Sequence, residues 1–178
     1  MVVKDTEIAG VKIIVPDVFS DGRGYFCETY NYERYCRFGI DSRFVQDNES
    51  FSSKGVLRGL HWQRGEHAQA KLVRVIKGAV WDVAVDIREG SPTFGKYVAC
   101  ELSAENGLQF FIPRGFAHGF VVLEDETLFS YKCDNFYCKD AERGLRYDDG
   151  ALAISWPKPC ENYILSEKDL KHPSLEDI

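Results

Sequence analysis

Short runs of apolar and β-branched residues follow one another along this chain, separated by clusters of Gly, Pro, Ser and Asp. Runs of this kind at roughly ten-residue spacing predict an all-β protein, built as an antiparallel sandwich or barrel. Helical periodicity between the runs would favour a parallel α/β sheet, and very little of it is present. The predicted strands are residues 11–15, 24–30, 44–46, 56–63, 71–76, 79–87, 96–102, 109–112, 119–123 and 127–133.

Turn residues mark the connections between these strands. The pair Lys77-Gly78 predicts a tight hairpin turn, and residues 20–23 predict a second turn. Residues 50–55 are expected to link two strands without joining either. Capping residues and weak periodicity predict two short peripheral helices, at residues 31–38 and 166–170.

The phase of two strands indicates what the interior contains. Alternate side chains of a strand share a face, so Tyr131 lies with Phe129 and Cys133 and is predicted to point inward. Lys71 is in phase with Val73, and an inward ammonium group needs a partner or a wet cavity because its desolvation is costly. The two strands therefore predict a barrel with a polar pocket inside it.

Composition narrows the class of protein. The 178 residues fit one domain, residues 1–178, and the net charge of −6 argues against general nucleic-acid binding. We find no apolar signal segment, and no apolar run approaches the roughly 18 residues of a membrane-spanning helix. A cytoplasmic protein without membrane contact is expected. Its six cysteines show no C-x2-C spacing and are expected to be free thiols.

One segment carries most of the candidate chemistry. His61 lies on a predicted strand, and histidine is the side chain whose ordinary pKa is nearest neutrality. Arg58 could hold an anion, and Lys71 adds a cation on the next strand. A base, an anion clamp and a cation within residues 58–71 indicate proton chemistry on a charged small molecule.

Two segments resemble the paired motifs of the cupin superfamily, whose fold is a jelly-roll barrel (a double-stranded β-helix). In the first, Gly55 is followed by His61 and Gln63; in the second, Gly107 is followed by 113–115 and His118. Metal-binding cupins usually carry two histidines and a glutamate in the first motif, and this chain does not. His61 and His118 alone make a poor metal site, so a barrel without metal or cofactor is expected.

The resemblance narrows to one family. The chain resembles dTDP-4-dehydrorhamnose 3,5-epimerases along nearly its whole length, in the strings DGRGYFCE (21–28), QDNES (46–50), LRGLHWQ (57–63), KLV (71–73), PRGFAHGF (113–120), ERG (142–144) and LSEKD (165–169). This resemblance implies epimerisation at C3 and C5 of dTDP-4-dehydro-6-deoxy-D-glucose through enolates, giving dTDP-4-dehydro-L-rhamnose for dTDP-L-rhamnose biosynthesis.

The resemblance also implies residue roles. His61 is the base and Asp169 orients its imidazole, while Tyr131 is the acid on the opposite face. Lys71 stabilises the enolate oxygen. A homodimer is implied, because residues 21–28 cross into the partner subunit's site in this family. The implied substrate contacts are Arg23, Phe26, Glu28, Gln46, Asn48, Arg58, His118, Phe120, Glu142 and Lys168.

Several alternatives stay open at this point. Trp62 stands where a tyrosine is common, and residues 64–70 depart from the family pattern, which leaves fine substrate preference undecided. A single-site (C3 or C5) epimerase or a 3,4-ketoisomerase would share the barrel and the deprotonation chemistry. A non-catalytic carbohydrate-binding cupin would need no acid–base pair, and a cupin oxygenase would bind metal. His67 and His172 are predicted to be surface residues.

Overall fold

The computed structural model describes residues 1–178 and contains thirteen strands and one α-helix. The helix α1 is Tyr32–Cys36, and short 3-10 turns lie at Gly65–His67, Lys139–Ala141, Asp169–Lys171 and Leu175–Asp177. No helix is long and apolar enough to cross a membrane. The strands are β1 Val2–Asp5, β2 Lys12–Val15, β3 Val18–Asp21, β4 Gly24–Cys27, β5 Gln46–Ser52, β6 Leu57–Gln63, β7 Lys71–Lys77, β8 Ala79–Asp86, β9 Tyr97–Ser103, β10 Gln109–Ile112, β11 Phe116–Val122, β12 Thr127–Cys133 and β13 Glu142–Gly144.

Two antiparallel sheets face each other as a jelly-roll barrel of the cupin type, so the predicted fold class is confirmed. One sheet has the order β1-β2-β10-β7-β12-β5, and the other has the order β13-β6-β11-β8-β9. The separate pair β3-β4 forms a hairpin outside both sheets. Strand β11 is buried along its whole length, as expected for an apolar run in the middle of a sheet.

The largest apolar cluster fills the space between the two sheets. Val73, Phe110 and Phe129 reach it from the first sheet, and Ala84 and Phe120 reach it from the second. Side chains of opposite phase form two further clusters on the outer faces of the sheets. Helix α1 covers one of these outer faces, and residues 145–156 cover the other. The interior between the sheets is therefore the place where a pocket can open.

Most predicted strands are present, and two of them have the predicted bounds, β10 and β12. The prediction that residues 50–55 only link two strands is wrong, because β5 continues through Ser52. Its outward side chains include Asp47 and Glu49, and its inward ones include Asn48 and Ser50. Both faces of β5 are polar, so apolar alternation could not reveal the strand.

The predicted hairpin at Lys77-Gly78 is wrong. Lys77 pairs with Leu128 in the first sheet, whereas Ala79 pairs with Ser103 in the second. The turn is therefore a corner that carries the chain from one sheet to the other. Gly78 has φ +79°, and a Cβ there would collide with Thr127, so the corner requires glycine. Corners and hairpins use the same turn residues, which explains the error.

The predicted helices are shorter than expected. Helix α1 begins after Asn31, whose side chain accepts a hydrogen bond from the backbone N–H of Arg34 at 3.1 Å. The C-terminal turn starts three residues later than predicted, at Asp169. The predicted turn at residues 20–23 is tighter, since Ser20 and Asp21 belong to β3.

Candidate active site

A cleft of about 560 Å³ opens between the two sheets, and His61 lies on its wall. Nε2 of His61 is 2.6 Å from Oδ1 of Asp169, whose side chain is buried. Burial alone would raise the pKa of Asp169, but the hydrogen bond and charge of His61 outweigh it and lower that pKa. An anionic Asp169 fixes the orientation of the imidazole and leaves Nδ1 without a protein partner, available to accept a proton.

The C-terminal segment brings Asp169 to this position. Ile164 forms a bridge beside Val56, and its carbonyl accepts a hydrogen bond from the N–H of Leu57 at 3.0 Å. The hydroxyl of Ser166 then accepts a hydrogen bond from the backbone N–H of Asp169 at 3.1 Å. A β-bridge and a backbone hydrogen bond therefore hold the segment beside the start of β6, the strand that carries His61.

An irregularity in β6 allows Arg58 and His61 to share the cleft. Residues three apart on a regular strand point to opposite faces, yet both line the cleft. The register with β11 shifts between His118 and Phe120, opposite this part of β6. Gly59 lies there with φ +126°, and a Cβ on it would be 2.5 Å from the Cα of Gly119. The close approach of two glycines makes this bulge possible.

Lys71 and Tyr131 reach the cleft from the opposite sheet, and both point inward as predicted. The ammonium nitrogen of Lys71 is 6.0 Å from the centre of the Tyr131 ring. Burial raises the pKa of the Tyr131 phenol and lowers the pKa of the Lys71 ammonium. Tyr131 is therefore a protonated hydroxyl at neutral pH, which is the form that can donate a proton.

Behind Lys71 lies a buried pair of His118, which was predicted as a site residue, and Asp82, which was not. Nε2 of His118 is 2.9 Å and 3.0 Å from the two carboxylate oxygens of Asp82, and Nδ1 of His118 is 3.5 Å from the Lys71 ammonium. Burial lowers the pKa of His118, which is therefore neutral and donates from Nε2. Asp82 shares its inward phase with Val80 and Ala84, so a lone acid in an apolar strand was the available signal.

A polar recess of about 250 Å³ adjoins the cleft and shares His61, Lys71 and Tyr131 with it. Its other walls include Gln46, Asn48 and Glu142. The amide of Gln46 donates to the Asn48 side chain at 3.0 Å. These groups form a set of donors and acceptors suited to the hydroxyl groups of a sugar.

Glu142 and Lys168 join the cleft to the recess. Glu142 is 2.5 Å from the ammonium of Lys168 and accepts a hydrogen bond from the Tyr137 hydroxyl at 2.9 Å. Burial by itself would raise the pKa of Glu142, but these two contacts outweigh it and lower that pKa. Lys168 and Arg58 are exposed cations that line the cleft, so an anionic group can approach them from solvent.

Of the fourteen predicted site residues, eleven line the cleft or the recess. The exceptions are Arg23, Phe26 and Glu28. Arg23 is paired with Asp21 and is 91% exposed, and Phe26 is 68% exposed on the β3-β4 hairpin. Glu28 pairs with Arg34 at 2.9 Å. Within one chain, the structure does not bring these three residues to the cleft.

The prediction that His172 is a surface residue is wrong. Its side chain is only 9% exposed, and Nε2 lies 3.3 Å from Oδ1 of Asp169. Its ring meets the ring of His61 edge-on, with centres 5.3 Å apart. His172 follows a polar stretch near the chain end, and no apolar pattern marks it as buried. His67, by contrast, lies on the surface as predicted.

The fold and the cleft together define a cupin-type barrel equipped for acid–base chemistry on a polar, anionic ligand. A histidine–aspartate pair lies on one wall, and a tyrosine and a lysine lie on the other. The sequence model of one family, described as dTDP-4-dehydrorhamnose 3,5-epimerase, matches residues 5–177. This protein belongs to the dTDP-4-dehydrorhamnose 3,5-epimerase family.

Similar proteins agree with that assignment. A dTDP-4-dehydrorhamnose 3,5-epimerase from Shigella flexneri is 53% identical over 97% of this chain and 94% of its own length. The crystal structure of such an epimerase from Elizabethkingia anophelis superposes with a TM-score of 0.95, at 56% identity over 99% of this chain and 97% of that one. A dTDP-6-deoxy-D-glucose-3,5-epimerase from Legionella pneumophila, solved with dTDP-4-keto-L-rhamnose, gives a TM-score of 0.95, at 50% identity over 99% and 93%.

Proposed function

We propose that this protein inverts C3 and C5 of dTDP-4-dehydro-6-deoxy-D-glucose and produces dTDP-4-dehydro-L-rhamnose. The observation that carries the proposal is the His61–Asp169 pair, which faces Tyr131 and Lys71 across one cleft in a member of this epimerase family. The protein is an isomerase, and the substrate's own ketone supplies the activation that the chemistry needs.

The reaction follows from the ketone at C4, which acidifies the C–H bonds at C3 and C5. His61 takes a proton from one of these carbons, the C–H electron pair moves into an enolate, and Asp169 stabilises the imidazolium that forms. Tyr131 then gives its phenolic proton to the other face of the same carbon. His61 loses its proton to solvent and Tyr131 regains one, so that the second carbon can react in the same way.

Lys71 stabilises the enolate oxygen in this scheme. Negative charge grows on that oxygen as the C–H bond breaks, so a nearby ammonium lowers the energy of the transition state more than that of the substrate. His118 holds the ammonium from behind, at 3.5 Å, and is itself held by Asp82. His118 therefore acts through Lys71 as a positioning residue as well as lining the cleft.

Substrate binding is divided between two groups of residues. Arg58 and Lys168 suit the diphosphate because both are exposed cations that line the cleft. Gln46, Asn48 and Glu142 suit sugar hydroxyls, and Phe120 gives the cleft an apolar wall stacked on Phe129 at 4.2 Å.

The remaining contacts come from a partner subunit in this proposal. Arg23, Phe26 and Glu28 lie on or after the β3-β4 hairpin, away from the cleft of their own chain. Four large apolar residues of this hairpin are exposed, which favours burial against another chain. They are Val18, Phe19, Tyr25 and Phe26. These observations support a homodimer with exchanged hairpins. We propose in addition that the chain is a single domain and acts in the cytoplasm.

Proton NMR in D2O tests the function. Purified protein is mixed with dTDP-4-dehydro-6-deoxy-D-glucose, and deuterium is expected at both C3 and C5, with none introduced by a His61→Asn protein. Exchange at one carbon alone would identify a single-site epimerase or a ketoisomerase. No exchange at either carbon, with the nucleotide sugar still bound, would identify a binding protein and contradict the proposal.

A further inference from the structure

The Nε2 atom of His172 is buried, and it makes no hydrogen bond within the protein. It lies 3.3 Å from the carboxylate of Asp169, but the alignment is too poor for a hydrogen bond. Buried polar atoms nearly always have a partner, and one without a partner points to a bound water or ion. This nitrogen faces the Asp169 carboxylate, and the mechanism above gives it no role.

Three ligand atoms converge at this point. A ring nitrogen of His61, a carboxylate oxygen of Asp169 and a ring nitrogen of His172 all lie within 4.8 Å of one another. Two imidazoles and one carboxylate are a donor set that zinc and similar divalent cations prefer, whereas magnesium and calcium prefer oxygen donors alone. The second histidine of this cluster is His172, and not His118, the histidine of the second cupin-like motif.

The fold holds His172 firmly in this arrangement. Its ring lies against Gly144 on β13, where a Cβ would collide with the imidazole. The carbonyl of the next residue, Pro173, accepts a hydrogen bond from the N–H of Arg146 at 3.0 Å. Because Gly144 packs against the ring and the backbone beside it is hydrogen-bonded, the three donors lie together before any ion arrives, which reduces the entropy lost on binding.

We infer that His61, Asp169 and His172 form a binding site for a divalent cation of the zinc class, and that the bound cation inhibits the enzyme. The cation replaces the proton shared by His61 and Asp169 and occupies the imidazole that the proposed mechanism uses as its base. His61 lines the substrate cleft and His172 lines a neighbouring cavity of about 630 Å³, so the cation can enter and retain an open coordination position.

The charges around the cluster permit a cation to bind. Lys168 carries a positive charge that acts on His172, and this charge is countered by Glu142 at 2.5 Å. Lys171, Arg143 and Glu167 also line the cavity beside His172. The carboxylate of Asp169 is the anion in direct contact with both imidazoles.

Direct binding tests the site independently of activity. Metal-stripped protein is titrated with Zn²⁺ in competition with a chromophoric chelator, and one Zn²⁺ per chain is expected. His172→Leu and His172→Gln proteins should bind it at least about tenfold more weakly. The matched control is His67→Leu, which removes a surface histidine and should leave the affinity unchanged. Mg²⁺ should not compete.

Zinc binding is tested without any assumption about the reaction, and only the inhibition rests on the proposed function. Thermal unfolding shows whether both His172 proteins are folded. If they are folded and bind Zn²⁺ as tightly as the wild-type protein, the ion binds at surface thiols or carboxylates, and the proposed site is wrong. Zn²⁺ bound through His172 should abolish deuterium exchange, and removal of the Zn²⁺ with a chelator should restore that exchange. Full exchange with Zn²⁺ bound would keep the site but overturn inhibition and the role of His61 as base.

Discussion

The ammonium group of Lys71 lies 3.5 Å from Nδ1 of His118, a contact in which that nitrogen accepts a hydrogen bond and the imidazole is neutral. The other ring nitrogen donates to Asp82, so a single buried carboxylate orients the lysine through the histidine. The series of contacts from Asp82 through His118 to Lys71 runs from the middle of the second sheet to the cleft. It connects the packing of the barrel to the place where negative charge develops in the proposed reaction.

The pH dependence of the reaction should reflect Lys71. Burial lowers its pKa below the ordinary value of 10.5, so the charged form disappears as pH rises through that lowered value. We expect kcat/KM to fall on the alkaline side at a pH below 10.5. A Lys71→Arg protein, although slower, should move this limb to higher pH because arginine keeps its charge. An alkaline limb at the same pH in both proteins would assign it to another group.

Removal of Asp82 should be destabilising. An Asp82→Ala protein leaves the neutral His118 buried with its Nε2–H unpaired, and a buried donor without a partner costs about 1–3 kcal/mol. Urea unfolding measures the difference. The control is Glu126→Ala, which breaks an exposed pair with Lys77 and should cost at most about 1 kcal/mol. Similar losses of unfolding free energy in the two proteins would mean that the buried His118–Asp82 pair stabilises the fold no more than an exposed ion pair does.

Substitutions in the His61–Asp169 pair should act on rate with little effect on binding. His61→Asn and Asp169→Asn are each expected to lower kcat by about 10²–10⁴-fold, because they remove or misorient the base. A His67→Asn protein serves as the control and should keep full activity. Binding of dTDP, measured by calorimetry, should be nearly unchanged in all three. A loss of dTDP affinity that accounts for the lower rate would contradict this assignment.

Gly59 should tolerate no side chain. Its φ is +126°, and only 2.5 Å would separate an added Cβ from the Cα of Gly119, so Gly59→Ala must push β6 away from β11. We expect a loss of stability of at least about 1–3 kcal/mol, together with a loss of activity as Arg58 and His61 separate. Gly150→Ala is the control, since a Cβ there meets nothing within 4 Å. Thermal unfolding and kcat/KM of the two proteins provide the comparison.

The exchanged-hairpin dimer predicts complementation between two inactive proteins. A His61→Asn chain supplies an intact Arg23, and an Arg23→Ala chain supplies an intact His61. If each site combines residues of two chains, unfolding and refolding the mixture should restore about a quarter of wild-type activity, through one good site in each mixed dimer. Light scattering reports the assembly. No recovery, with mixed dimers formed, would show that each site belongs to one chain.

The sequence revealed those parts of the fold that leave an apolar signature. Strands β10 and β12 were found because one or both of their faces are buried. Strand β5 was missed because its inward side chains are the polar residues of the site, and the corner at Gly78 was misread because sheet membership depends on distant partners. Local patterns report burial, whereas pairing is decided by the whole chain.

Among the site residues, too, local patterns identified some positions, and others depend on parts of the chain far away in sequence. Tyr131 and Lys71 could be placed inside from strand phase alone, and Asp82 could have been placed by the same reasoning. His172 could not, because its burial depends on a turn that folds back against Gly144. The resemblance supplied Asp169, which no spacing rule connects to His61 across 108 positions.

The contacts that hold residues 164–169 beside β6 have a consequence for how the protein responds to proteolysis. Every strand of the barrel precedes this segment, so the barrel itself contains none of its residues. A protease that cuts between β13 and Ile164 and frees the segment would leave every strand in place and remove Asp169, the partner of His61. Such a nicked protein is expected to stay folded and to be inactive.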